Sequence, residues 1–278
     1  MLTNLRLAQI YAVLRLELKK TFFARRGIWV YLLAFSPVLL FGGHSLLMLK
    51  RGQPCDFGLD TNIFAGVFQV FYLRLAVFFG CLGIFMNLFR GEVLDKSLHY
   101  YFLTPIRREV LMAGKFLAGL LVAIATFCLS ILLQFAAMYA HYDAATMQEY
   151  LFRGHGIWHL AAYLGVTALA CIGYGSVFLA AGIFMRNPII PAVTILVWEA
   201  ANPFLPAILQ KFSVIYYLKS LCPIDVASDI GPPFNLLTVT VDPISPAIAI
   251  PGLLVVATIV VLWAGRRIRT MEISYGTE

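Results

Sequence analysis

Long apolar runs constrain this chain more than any other feature. Stretches of roughly 18 or more mainly apolar residues recur along its 278 residues, and each can cross a hydrocarbon layer about 30 Å thick. Only 13% of the residues are charged, whereas soluble domains of this size carry about a quarter. The period-two alternation typical of membrane barrel strands is missing from the sequence. We therefore expect an all-α integral membrane protein.

The positions of the runs predict six transmembrane helices in a single domain. The spans are expected at residues 28–49, 62–89, 110–139, 157–184, 188–204 and 246–265. The predicted parts of the domain are an N-terminal segment (2–26), spans one and two (28–89), a loop (90–109), spans three to five (110–204), a second loop (205–245), span six (246–265) and a tail (266–278).

Lys and Arg residues are unequally distributed between the two ends of these spans. Of the 21, fifteen lie beside one end, five lie beside the other, and Arg74 lies within a span. Because loops rich in Lys and Arg stay in the cytoplasm, both termini are predicted to be cytoplasmic. Topology then explains the net charge of +7, and no nucleic-acid partner is expected.

The N-terminal segment is predicted to form an interfacial helix. Its apolar residues recur at helical spacing at Leu7, Ile10, Leu14, Leu18 and Phe22, while the other face carries Arg6, Gln9, Glu17 and Lys20. Such a helix lies in the headgroup layer with its apolar face toward the hydrocarbon. The alternative is an ordinary basic flank that only orients the first span.

The fifth span is predicted to be short and to be followed by a re-entrant or interfacial helix. Asn187-Pro188 is a helix start, and Pro203 and Pro206 end the helix early. The stretch AILQKFSVIYYLKSL that follows is too polar to span and too apolar for a free loop. The next helix signal is Ser245-Pro246, which opens span six.

Two charged residues, Arg74 and Glu199, lie deep within apolar runs. Each is about 11 residues from the end of its span, or roughly 16 Å deep at about 1.5 Å per residue. A charge near the bilayer centre faces the protein interior or water, and opposite charges at matching depth suggest a pair. The pair could be a polar point on a translocation path or a packed structural ion pair.

Motifs of catalysis are missing from the chain. The stretch AGKF at 113–116 is not a phosphate-binding loop, because Glu109 stands where its first glycine belongs and Phe116 follows the lysine. His44 and His159 are predicted to be packing or interfacial residues and not ligands. We expect no enzymatic activity, and no metal or cofactor on this chain.

Cysteines and small residues are interpreted as packing elements. The five cysteines lack metal-ligand spacing, although a disulfide between Cys55 and Cys222 remains open. In span four, small residues recur four apart, which permits close helix approach; they are Cys171, Gly175, Ser176 and Ala180. Packing within the bundle and a dimer interface are both compatible with this pattern, and packing is favoured.

The loop between spans two and three has its own helical pattern. It reads RGEVLDKSLHYYFLTPIRREVLMAGK over residues 90–115. Apolar side chains line one face of a short helix at Leu94, Leu98, Tyr101 and Phe102. Thr104-Pro105 then restarts a helix, since proline suits the first helical position. A loop that only orients the chain, with an interfacial helix, is the alternative.

This segment resembles the first cytoplasmic loop of type-2 ABC exporter permeases. The likeness consists of an acidic residue with a serine, then TPIRRE, then Gly-Lys, within residues 91–115. The layout is similar over nearly the whole chain: about six spans, an N-terminal interfacial helix and a re-entrant segment before the last span. Ser97 departs from the expected threonine, and ARRGIWVYLL lacks the entry motif of polysaccharide exporters, which disfavours that subgroup.

The resemblance implies a permease subunit that forms a translocation path as a dimer with a second copy or a related chain. ATP and Mg would be bound by separate ABC ATPase subunits, and the chain would lie in lipid, in a bacterial inner membrane. A cytoplasmic coupling helix would dock on the ATPase. By matching position, the coupling residues would be Glu92, Asp95, Leu98, His99, Tyr100, Tyr101, Pro105, Arg107 and Arg108.

The cargo of such an exporter would be hydrophobic or amphipathic, such as a lipid or drug, because the spans are rich in aromatic residues. Arg74 and Glu199 would lie on the translocation path. An ion channel or secondary transporter that uses these two charges is the alternative function. A membrane enzyme comes third, because it needs a polar cluster that the sequence does not display.

Overall fold

Every regular element that the structure describes is helical. The computed structural model describes residues 2–22, 27–52, 56–94, 103, 106–185, 187, 189–202, 205–224, 226 and 244–269. Its longer helices are α1 (Leu2–Phe22), α2 (Ile28–Arg51), α3 (Phe57–Val67), π1 (Phe68–Val77), α4 (Phe78–Leu94), α5 (Arg108–Tyr139), α7 (Gly156–Phe184), α8 (Ile189–Ala201) and α11 (Pro246–Arg269). The shorter ones are α6 (Ala144–Gln148), π2 (Glu149–Arg153), α9 (Ala207–Gln210) and α10 (Val214–Lys219).

Five helices are long and apolar enough to cross a membrane. They are Ile28–Arg51, Phe57–Phe89, Arg108–Tyr139, Gly156–Phe184 and Pro246–Arg269. The prediction of an all-α integral membrane protein is therefore confirmed at this level. The predicted fifth span corresponds to α8, which has 13 residues and is about 20 Å long. A sixth crossing stays a prediction.

Local signals mark several of the helix boundaries. The Asn187 side chain accepts a hydrogen bond of 3.0 Å from the Ile189 N–H, so the predicted start of α8 is confirmed. The predicted start of span six at Pro246 is confirmed as well. Helix α2 ends at Gly52, whose φ of 59° is left-handed and whose N–H reaches the Met48 carbonyl.

The α7 helix lies at the centre of the bundle. It packs against α4, α5 and α11, and 72% of its most apolar window is buried, against 22% for α2 and for α11. A Cβ at Gly175 would stand 2.6 Å from the Phe85 ring. Cys171, Gly175, Ser176 and Ala180 are all buried inside the bundle, so the favoured interpretation of these small residues as bundle packing is confirmed.

The chain after α8 folds back onto the bundle. It forms α9 and α10, and the α10 residues Val214, Ile215 and Leu218 are buried. Helix α10 packs against α7 and α11. The amphipathic stretch predicted here is therefore helical in two short pieces. Its relation to a membrane stays a prediction.

The bundle has two chemically different ends. One end carries most of the Lys and Arg residues, and we call it the basic end. There α1 packs against α5 and meets the last turns of α4 and the first turns of α5. At the opposite end lie the last turns of α2, the first turn of α3 and the C-terminus of α5. Among the described residues, a cluster of polar side chains lies at each end.

Candidate functional site

A buried lysine organises the basic end. Lys115, in the second turn of α5, is 0% exposed. Its Nζ lies 2.6 Å from the Glu17 Oε1 of α1 and 2.7 Å from the Glu92 Oε1 of α4. Lys20 of α1 reaches the same Glu92 oxygen at 2.9 Å. We call Glu17, Lys20, Glu92 and Lys115 the basic-end cluster.

Charge balance explains why these groups can be buried together. Glu17 and Glu92 are each 2% exposed, whereas the Lys20 side chain is 49% exposed. Removing an ion from water costs several kcal/mol even after relaxation, so an isolated Lys115 in this position would be strongly unfavourable. Among the described residues, two carboxylates face two ammonium groups, so each buried charge lies beside an opposite one, and the distances are those of charge-assisted hydrogen bonds.

Close packing holds the three helices around the cluster. A Cβ at Gly114 would stand 2.8 Å from the Val13 Cγ1, so the glycine lets α1 approach α5. The Lys115 Nζ also lies 5.7 Å from the centroid of the Phe89 ring on α4, within the range of a cation–π interaction. The apolar walls exclude water and strengthen the ionic contacts.

The cluster joins the two ends of the segment that resembles a coupling loop. Glu92 comes before residues 95–102 and Lys115 follows them, and the two side chains are in direct contact. The described residues on either side of positions 95–102 therefore meet at one point. Glu17 and Lys20 tie α1 to that same point.

Several predicted coupling residues lie outside the described residues: Asp95, Leu98, His99, Tyr100, Tyr101 and Pro105. Among the described ones, Glu92 turns inward to the cluster, and Arg107 is exposed just before α5. The Arg108 guanidinium donates to the Arg269 carbonyl at 3.2 Å. Arg269 also forms an ion pair with Glu109, so the start of α5 is joined to the end of α11.

Sequence reasoning missed the partners in the basic-end cluster. It placed Glu17 on the polar face of α1, away from the apolar stripe, whereas the structure buries this carboxylate against Lys115. The available signal was Lys115 itself, a single charge one turn into the apolar run of span three. A charge in that setting requires a partner, but nothing in the local sequence indicates that α1 supplies one.

Glu199 caps α10 and makes no ion pair with Arg74. Its carboxylate accepts hydrogen bonds from the Ser213 hydroxyl at 2.5 Å and from the Val214 and Ile215 N–H groups at 2.9 and 3.0 Å. Among the described residues, no ion pair within 4.0 Å joins it to Arg74, although the two charges interact through space.

Arg74 lies in π1, the widened section of the second apolar helix. It lines a small cavity together with Gln69, Ile215 and Lys219. The Gln69 side chain also donates to the Ile224 carbonyl at 2.7 Å. Arg74 therefore faces the segment that follows α8, where the carboxylate of Glu199 is already hydrogen-bonded.

No protein-family profile and no curated protein sequence matches the chain. Any assignment of function must therefore come from the geometry of the site and the pattern of the sequence.

Proposed function

We propose that this protein is the permease subunit of an ATP-driven ABC exporter, acting as a dimer with ATPase subunits supplied by another chain. The observation that carries the proposal is the Lys115–Glu92 contact of 2.7 Å at the base of the loop that resembles a coupling loop. A docking element must transmit force to the spans, and this contact fastens the loop to two of them. The Lys115–Glu17 contact adds α1.

In this proposal, the ATPase pushes or pulls the loop when ATP closes the ATPase dimer. Because the base is closed by buried ionic contacts, the loop moves with the ends of α4 and α5 instead of bending separately. Packed elements of this kind switch between discrete arrangements, and the movement of α4 reaches α7 through their shared interface. The translocation path would open and close in response.

The structure leads us to divide the predicted coupling residues into two groups. Glu92 belongs to the base of the loop, since its side chain is only 2% exposed. Asp95, Leu98, His99, Tyr100, Tyr101 and Pro105 form the proposed docking surface, with Arg107 and Arg108 at its exit into α5. ATP and Mg would bind to the partner, because the sequence has no phosphate-binding loop of its own.

The remaining parts of the proposal follow the resemblance and the charge distribution. Both termini are cytoplasmic, α8 completes a sixth span, and α9 with α10 forms a re-entrant segment. The membrane is a bacterial inner membrane. The cargo is hydrophobic or amphipathic, and Arg74 lies on its path beside the small cavity it lines.

An ion channel or secondary transporter with Arg74 and Glu199 as working charges is the second candidate. The half-buried Arg74 beside that cavity favours it. The three hydrogen bonds received by Glu199 disfavour it, because they assign that carboxylate to the support of α10.

Co-purification with an ATPase tests the proposal. The partner to use is an ATPase with a phosphate-binding loop encoded beside this chain's gene, and the variant is Leu98→Asp with Tyr101→Asp. We expect wild type to retain the ATPase and the variant to lose it. A matched control is Phe152→Asp, an exposed aromatic residue of π2 in the loop between spans three and four, which should bind as wild type does. Equal retention by the loop variant would refute the docking role.

A further inference from the structure

A second polar cluster lies at the end of the bundle opposite the basic end. Asp60, in the first turn of α3, is buried. Its Oδ2 is 3.1 Å from the His141 Nε2, and its Oδ1 is 3.4 Å from the His44 Nε2. His44 comes from the last turns of α2, and His141 follows the C-terminus of α5. One nitrogen or oxygen from each of the three lies within 4.8 Å of the other two.

The two imidazole nitrogens are buried without satisfying hydrogen bonds. Within the part of the chain that the structure describes, neither His44 Nε2 nor His141 Nε2 has a hydrogen-bond partner, although both lie close to the carboxylate. The His141 side chain is only 4% exposed. A buried polar atom left without a partner costs about 1–3 kcal/mol. A cation bound by both nitrogens and the carboxylate would give each of these atoms a partner.

The two nitrogen–oxygen distances in this cluster are close to those between ligand atoms of a metal site. Zinc bonds to imidazole nitrogen and carboxylate oxygen are about 2.0–2.2 Å long, so the ligand atoms of a tetrahedral site lie about 3.3–3.5 Å apart. Each imidazole nitrogen lies at nearly this distance from a different oxygen of the Asp60 carboxylate, His141 Nε2 at 3.1 Å from Oδ2 and His44 Nε2 at 3.4 Å from Oδ1. Two imidazoles with one carboxylate favour zinc-like transition metals over Ca²⁺ or Mg²⁺, which prefer oxygen ligands.

Outer groups hold the ligands in orientation. The Ser45 Oγ lies 3.2 Å from the His141 Nδ1, so this nitrogen can donate to the hydroxyl while Nε2 carries a free lone pair. The Tyr142 hydroxyl donates to the Asp60 Oδ2 at 2.9 Å. Metal-bound histidines and carboxylates have outer-shell hydrogen bonds of this kind. The His141 ring also packs on the Tyr142 ring, with centroids 4.2 Å apart.

We propose that His44, Asp60 and His141 bind one divalent transition-metal ion of the zinc class. Three protein ligands leave a fourth position for water or an incoming ligand. The ion would join the ends of α2, α3 and α5. In the orientation proposed above, it would lie on the outer side of the membrane, but the site depends on neither that orientation nor the exporter function.

Zinc titration of the full-length protein in detergent tests the site. The protein should carry an affinity tag without histidine and be stripped of metal with a chelator, after which Zn²⁺ competes with a chromophoric indicator. We expect one Zn²⁺ per chain. Tyr142→Phe should weaken binding by about 10–100-fold, the usual cost of losing an outer-shell partner, and His44→Gln and His141→Gln should each weaken it by more than Tyr142→Phe does.

A second histidine pair supplies the matched control. The rings of His155 and His159 lie 6.0 Å apart at the start of α7, and the His155 side chain is exposed. His155→Gln should leave the zinc affinity unchanged. Failure of wild type to bind Zn²⁺, or undiminished binding by the double variant His44→Gln with His141→Gln, would overturn the proposal.

A measurement on wild type keeps the test valid if a ligand variant does not fold. Co²⁺ bound to the stripped wild-type protein should give the visible absorption of a four- or five-coordinate site. Zn²⁺ should displace it at one equivalent. A spectrum identical to that of hydrated Co²⁺ would contradict the proposal without the use of any variant.

Discussion

Replacing Lys115 with methionine gives the sharpest test of the basic-end cluster. Methionine keeps much of the side-chain volume but removes the ammonium group that contacts Glu17 and Glu92. Both carboxylates are 2% exposed and would lose this partner, while the Lys20 contact with Glu92 would remain. Breaking a buried ion pair from one side costs about 3–5 kcal/mol.

That free energy translates into a measurable change in Tm. One kcal/mol shifts Tm by about 2–4 °C in chains of 150–250 residues. We therefore expect Lys115→Met to lower the Tm of the purified protein by at least about 6 °C. Thermal unfolding in one detergent, followed by circular dichroism, provides the comparison with wild type.

A compensating variant separates charge from packing. Lys115→Met combined with Glu17→Gln removes one positive and one negative charge, leaving Glu92 paired with Lys20 at 2.9 Å. It should recover most of the lost Tm, because the buried Glu17 carboxylate that loses Lys115 is neutralised at the same time. If Lys115→Met unfolds at the wild-type temperature, or the double variant is as unstable as the single one, charge balance does not account for this cluster.

Two further predictions concern the core and the Glu199 cap. Gly175→Ala places a Cβ 2.6 Å from the Phe85 ring and should destabilise the protein by about 1–3 kcal/mol. Gly165 lies on the same helix with open space around it, so Gly165→Ala should be neutral or stabilising. Thermal unfolding followed by circular dichroism compares the two variants with wild type. Glu199→Gln should weaken the hydrogen bonds to the first turn of α10 by roughly 1.5–3 kcal/mol. Hydrogen exchange of the amides in that turn should then be at least about tenfold faster. Unchanged amide exchange would contradict the capping role.

The helices were predictable because their signals are local. Apolar runs define the long helices, and short-range features such as the Asn187 cap and the Pro246 start define boundaries within a few residues. Small residues one helical turn apart in span four likewise predicted close helix packing. In the structure, Gly175 packs closely against the Phe85 ring.

The polar clusters could not be predicted in the same way, because their members are distant in sequence. Lys115 and Glu17 are 98 residues apart, and the periodicity of α1 assigned Glu17 to the wrong environment. His44 and His141 come from different helices and meet only around Asp60. A periodic pattern shows which face of a helix is apolar, but it does not show which other helix lies against a charged position.

The equal estimated depth of Arg74 and Glu199 in the membrane did not predict which groups these two side chains contact. Arg74 and Glu199 were estimated to lie equally deep, and the structure brings their charges within electrostatic range. Backbone N–H groups at the start of α10 nevertheless contact Glu199 directly. A comparison of charged residues does not include such donors, because they are uncharged backbone groups that every helix start presents.

In the function we propose, residues 95–102 contact an ATPase, and site-specific photo-cross-linking in intact membranes detects such a contact. A photoreactive amino acid at Tyr101 should form a cross-link to a protein whose peptides contain a phosphate-binding loop, while the same amino acid at Ile208 should not. Cross-links from position 101 to lipid alone, or an ATPase captured equally from position 208, would contradict the account.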